Sequence, residues 1–164
     1  MCSGTTGGFT GGEDNTPVPL NTVPMPARAS TEPFLVIDEE RALLVYRIAL
    51  PDLNQAGPAI RNGEPFCLVR FGGAVFASLG PPNDREVSRH VLHAKGLRAY
   101  AAYEVLKSTL VAEWWPDIAS PIALRHFIFT FKESSFEAVA SNCSLVDTFP
   151  TAEAARKEAF QSFG

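Results

Sequence analysis

Three histidines, His90, His93 and His126, are the residues of this chain best suited to acid–base or metal chemistry. The H-x-x-H spacing of His90 and His93 puts two imidazoles on one side of a helical turn. His126, with Glu104 or Glu113, would then complete a metal shell around a water nucleophile. The pattern has low specificity, because no glutamate lies between the two histidines and nothing in the spacing ties His126 to them. A second cluster is centred on R-H-F-I-F-T-F-K-E-S-S-F, residues 125–136. Arg70, Arg125, His126 and Glu137 would gather there around an anionic ligand if their strands were neighbours. The plainer reading of His126 is a residue at a strand start that hydrogen-bonds a carbonyl or an acid, and this is the stronger of the two.

Other reactive side chains carry less. Cys67 and Cys143 lie inside apolar segments, where a free thiol behaves as a small hydrophobe. Ser78, Ser134 and Ser135 lack a G-x-S-x-G setting. Cys2 would become an N-terminal nucleophile on loss of Met1, but the glycine-rich sequence after it offers nothing to hold the thiol in geometry. Trp114-Trp115, next to Pro116, reads either as an exposed binding epitope or as a pair tucked inward by helix fraying.

The elements that must position these groups follow from patterning. Residues 1–33, rich in Gly, Thr, Ser and Pro, read as a disordered tail, and residues 34–164 as one globular domain. F-L-V-I and A-L-L-V-Y-R-I-A-L form two strands around the charged turn at Asp38–Arg41. Residues 66–71 and 74–79 form a hairpin about Gly72-Gly73, with Phe71 opposite Ala74 and Val69, Phe71 and Phe76 on one face. The H-x-x-H segment is irregular or a short helix closed by Gly96. Ala99, Ala102, Tyr103, Leu106, Leu110 and Trp114 fall on a helical stripe that Pro116 ends. Phe127, Phe129 and Phe131 alternate with His126, Ile128 and Thr130 in a strand that turns at 132–135 into a partner beginning at Phe136. Thr151 caps a last helix whose stripe is Ala152, Ala155, Ala159, Phe160 and Phe163. The expected fold is α+β: an antiparallel sheet, open or strongly curved, built from hairpins and packed on one or two helices.

The chain has 164 residues, enough for a sizeable core, with 46% hydrophobic and 20% charged residues. A net charge of −4 and the lack of a basic run or phosphate loop argue against a nucleic-acid partner. An odd cysteine count fits a reducing cytoplasm. No apolar run approaches the roughly 18 residues a membrane span needs, and no hydrophobic segment precedes Cys2 as an export signal would require.

Three stretches, R-H-F-I-F-T-F-K-E-S-S-F-E, L-V-R-F-G-G-A-V-F-A-S-L-G-P-P and the H-x-x-H…G-L…Y…E-V segment between them, resemble a group of small uncharacterised bacterial proteins. The likeness covers roughly residues 66–141. That group usually has His-Asp where this chain has Lys132-Glu133. The resemblance implies a shared fold and a bacterial setting only. Separately, no cofactor is expected. From all this the expected function is a cytoplasmic, non-catalytic protein-binding or accessory (immunity-like) domain. The alternative is a metal-dependent or anion-binding enzyme using His90, His93 and His126.

Overall fold

The computed structural model describes residues 14–28, 32–49, 65–116 and 123–163. The chain is α+β and fully antiparallel, as expected, but its strands divide between two sheets rather than forming one sheet. The strands are β1 (Thr16–Pro19), β2 (Phe34–Ile37), β3 (Arg41–Arg47), β4 (Phe66–Gly72), β5 (Phe76–Gly80), β6 (Ala102–Leu106), β7 (Arg125–Thr130), β8 (Ser135–Ala140) and β9 (Asn142–Phe149). The helices are α1 (Thr109–Trp114) and α2 (Ala152–Gln161). One sheet runs β1-β6-β7-β8-β5 and the other β2-β3-β4-β9.

The inner faces of both sheets share one core. Leu44, Tyr46, Val69 and Phe71 come from the four-stranded sheet, and Ala102, Phe127, Phe129, Phe136 and Ala138 from the five-stranded one. Phe71 is at its centre, with ring centroids 5.5 Å from Phe127, 5.6 Å from Phe129 and 4.8 Å from Phe136. The alternation read from residues 125–140 is realised as the β7–β8 hairpin, with Phe129 opposite Phe136 and Thr130 opposite Ser135. The β2–β3 hairpin also forms. Its turn is fixed by the Asp38 carboxylate, which accepts from the amides of Glu40 and Arg41 at 2.8 Å each. These bonds to the amides, above all that of Glu40, lower the Asp38 pKa.

The hairpin expected at Gly72-Gly73 does not form. β4 pairs with β3 and β9, while β5 pairs with β8 in the other sheet. The two glycines carry the chain from one sheet to the other, and Ser141, between β8 and β9, carries it back alongside. The Ser141 amide donates to the Gly72 carbonyl at 2.9 Å. Gly73 has φ +61°, and a Cβ there would lie 2.5 Å from Ser141 Oγ, so glycine is required where the two crossings touch. Phe76 consequently faces outward rather than joining Val69 and Phe71, and its ring lies 6.4 Å from that of Trp115.

Two further expectations are corrected. Residues 99–114 are not one helix: β6 occupies 102–106, and only the short α1 remains helical. The same residues satisfy a period of two, with Ala102 in the inter-sheet core and Tyr103 and Val105 in an outer cluster. Pairing with β1 and β7 decides in favour of strand. The tail assigned to residues 1–33 includes ordered chain. β1 lines the edge of the five-stranded sheet, and Leu20 and Val23 enter the core. Pro17 and Pro19 suit an edge strand, which loses nothing by lacking a donor on its open side.

Each outer face has its own cover. α2 is capped by Thr151 Oγ1, which accepts from the Ala154 amide at 3.1 Å. It lays Ala155 and Ala159 on Leu43, Val45 and Leu68 of the four-stranded sheet. The segment between β5 and β6 makes two short 3-10 turns, Val87–Arg89 and His93–Lys95, the second closed by Gly96 at φ +115°. Its Leu92 and Leu97 cover Tyr103, Val105 and Ile128 on the five-stranded sheet. No helix among the described residues is long and apolar enough to cross a membrane.

Candidate functional site

His126 is on the outer face of β7, opposite Val105 of β6 and Val139 of β8, and is only 5% exposed. Burial obliges both ring nitrogens to find partners. Nε2 lies 2.5 Å from Glu137 Oε1 on β8, and Nδ1 lies 2.8 Å from Ser108 Oγ. An ionised carboxylate only accepts, so Nε2 carries the proton toward Glu137. In the neutral ring Nδ1 is then the acceptor of the Ser108 hydroxyl. Ser108 Oγ in turn accepts from the Val111 amide at 3.3 Å and so caps α1.

The backbone that delivers Ser108 is unusual. β6 ends at Leu106, Lys107 adopts φ +51°, and α1 begins immediately after Ser108. A left-handed non-glycine residue is sparsely populated and costs roughly 1 kcal/mol or more, so the surrounding structure must hold it. Asn15, itself at φ +55°, braces the turn: its Oδ1 accepts from the Thr109 amide at 2.8 Å. A cavity of about 300 Å³ opens beside Ser108 and His126. Leu106, Val111, Ala112 and Leu124 give it apolar walls, and Glu104, Lys107 and Arg125 give it polar ones.

The expected anion cluster divides. His126 and Glu137 meet. Arg125 instead forms a two-pronged pair with Glu104, Nε to Oε1 at 2.9 Å and Nη2 to Oε2 at 2.6 Å. That pairing raises the Arg125 pKa further. Arg70 is exposed on β4, between Leu43 and Ser144, on the face of the four-stranded sheet that carries Leu68. The inter-sheet core separates it from His126. The alternation that placed Arg70 off the aromatic face was sound, but the strand neighbours it needed are in the other sheet.

The metal set divides as well. Among the described residues no three His, Cys, Asp or Glu side chains are placed to hold a metal ion. His90 feels the Glu137 carboxylate, which opposes the effect of burial on its imidazole. Its Nδ1 accepts from the Leu92 amide at 3.1 Å, and burial is the main force lowering its pKa. His93 lies in the next turn, where its carbonyl accepts from Arg98. Glu113 is exposed on α1. Cys67 and Cys143 are held to about 12 by burial and stay protonated thiols at neutral pH. Cys2 lies outside the described residues.

The tryptophans resolve into one of each kind. Trp114 is 67% exposed, while Trp115 is half-buried between Trp114, 6.0 Å away, and Phe76. Phe76 continues into a shallow groove of about 510 Å³ shared with Ile37, Val75 and the acidic turn at Asp38 and Glu39. Ile37 and Val75 are themselves exposed. One end of the protein therefore presents a connected apolar strip from Ile37 to Trp114.

Ser108 is the residue that sequence reasoning missed. Reading 99–114 as one helix put it mid-helix, off the apolar stripe. The usable signal was a serine after a strand-length alternation and before T-L-V-A-E, an N-cap pattern. No protein-family model, curated protein or solved structure matches the chain.

Proposed function

We propose that the protein is a small cytoplasmic domain that binds another protein, as bacterial accessory or immunity-like proteins do. The observation that carries this reading is the connected strip of Trp114, Trp115, Phe76, Val75 and Ile37. Tryptophan supplies large contact area at little entropic cost and dominates interface energetics. Contiguous exposed apolar surface on a soluble domain marks a docking site. α1 has no buried residue of its own, and its placement comes from Ser108, His126 and Asn15 at its start and Trp115 at its end. A helix so short is not stable by propensity, so these contacts present Trp114 in a fixed direction.

The test compares tagged wild type with Trp114→Ala and, as a surface control, Val91→Ala, at a residue 83% exposed elsewhere. Wild type and the control should recover the same stoichiometric partner from host lysate, and Trp114→Ala should lose it. Retention of that partner by Trp114→Ala, or no stoichiometric partner for wild type, would refute the reading.

A further inference from the structure

Docking uses the far end of α1, and the groups at its near end suit a reaction rather than a contact. Four observations converge on Ser108. Its hydroxyl is 2.8 Å from Nδ1 of a buried imidazole. The other nitrogen of that ring is 2.5 Å from a carboxylate. The serine sits on a strand-to-helix turn whose preceding residue, Lys107, has a strained left-handed backbone. A cavity of about 300 Å³ with aliphatic walls opens beside it. Nucleophile, base and orienting acid within hydrogen-bond reach is the pattern of acyl transfer, and it is defined by geometry rather than by chain order. Either imidazole nitrogen serves as the base, provided that the acid holds the proton on the other.

We propose that Ser108 is a nucleophile toward short-chain carboxylic esters, with His126 as its base and Glu137 as a positioning residue. Ser108 Oγ adds to the ester carbonyl while its proton passes to His126 Nδ1. Glu137 holds the imidazolium through Nε2. The bond to the alcohol oxygen then breaks, and that oxygen leaves with the proton from Nδ1, giving the free alcohol and an acyl-serine. Water completes the cycle by the reverse sequence, its proton going through His126 to Ser108 Oγ and the acyl group leaving as the carboxylic acid. The walls formed by Leu106, Val111, Ala112 and Leu124 fit a small apolar acyl group, and the volume is at the small end for ligand sites. The Thr109 amide, next after the nucleophile, is already bonded to Asn15 Oδ1. The oxyanion is therefore weakly stabilised, and the expected chemistry is stoichiometric acylation with slow turnover.

The experiment treats the full chain with an alkyl fluorophosphonate and, separately, with p-nitrophenyl butyrate, following intact mass, peptide mapping and p-nitrophenol release. One adduct at Ser108 and a burst close to one equivalent are expected. Ser108→Ala removes both, while Ser78→Ala, at an exposed serine opposite Glu137, removes neither. Glu137→Gln retains a partner for Nε2 but not the charge. It should slow labelling about tenfold at saturation, with the half-saturating probe concentration unchanged, as expected of positioning rather than binding. Circular dichroism establishes that each variant is folded. A folded wild type that gives no Ser108 adduct at millimolar probe, or a Ser108→Ala variant labelled at the wild-type rate, overturns the proposal.

Discussion

Phe71 and Phe136 provide the sharpest test of how the sheets are arranged. Phe71 belongs to β4 and Phe136 to β8, so their contact at 4.8 Å between ring centroids exists only if the two sheets pack face to face. In a β4–β5 hairpin, Phe71 would pair with Ala74 and need not approach β8. Both rings are fully buried. Truncation of either to alanine removes a large core side chain and costs about 3–5 kcal/mol, a large part of the roughly 5–15 kcal/mol that holds a domain together. Leucine is the better probe, because it keeps most of the volume and isolates the ring contact. An aromatic pair contributes about 0.5–1.5 kcal/mol beyond area burial, so a cycle of Phe71→Leu, Phe136→Leu and the double variant should show coupling of that size. Urea unfolding of the four proteins measures it. Additivity within about 0.3 kcal/mol would refute face-to-face packing at this position.

Three further outcomes follow from named contacts. Gly73→Ala should destabilise by at least about 1 kcal/mol in urea unfolding, because its φ of +61° and the nearby Ser141 Oγ both oppose a Cβ. A neutral result would mean that the two crossings do not touch there. With Cys2 replaced by serine, native protein at pH 8 should take up no iodoacetamide, and denatured protein two equivalents by mass. Thiols held to about 12 are only about one ten-thousandth thiolate at that pH. Burial lowers the His90 pKa below the ordinary 6.5, so the unfolded chain binds that proton more readily. The stabilising contribution is complete above about pH 6.5 and is lost as pH falls below it. His90→Gln should flatten that part of the stability curve, and an unchanged curve would contradict the assignment.

Much of the fold was legible because short-range patterns are local statements. The Phe127–Phe129–Phe131 alternation, the Asp38 turn and the Thr151 cap each depend on residues within a few positions, and each is realised. Sheet membership is not local. G-G between two apolar runs is equally good chemistry for a tight turn and for a crossing between sheets. Only the distant Ser141, Phe127 and Phe136 decide between them. The helical stripe at 99–114 failed similarly, since A-Y-E-V-L satisfies both periods and β1 supplied the deciding partner. β1 itself was hidden in a Pro-rich stretch, and β9 in a strand with most of its residues exposed. For the candidate site, the sequence grouped Arg70, Arg125, His126 and Glu137 around an anionic ligand, and of these four His126 and Glu137 meet. It gave no reason to bring Ser108 to them, because that contact depends on β6 being a strand.

His126 is fixed between Ser108 and Glu137, its Nε2–H directed at the carboxylate and its Nδ1 turned to the serine hydroxyl. Long-range proton–nitrogen correlation spectra of the histidine-labelled protein report this directly. The expected result is the Nε2–H tautomer for His126 with Nδ1 as acceptor, and a change in the Nδ1 signal in Ser108→Ala while the Nε2 proton stays in place. An Nδ1–H tautomer, or a signal averaged between the two as for a solvent-exposed ring, would contradict it.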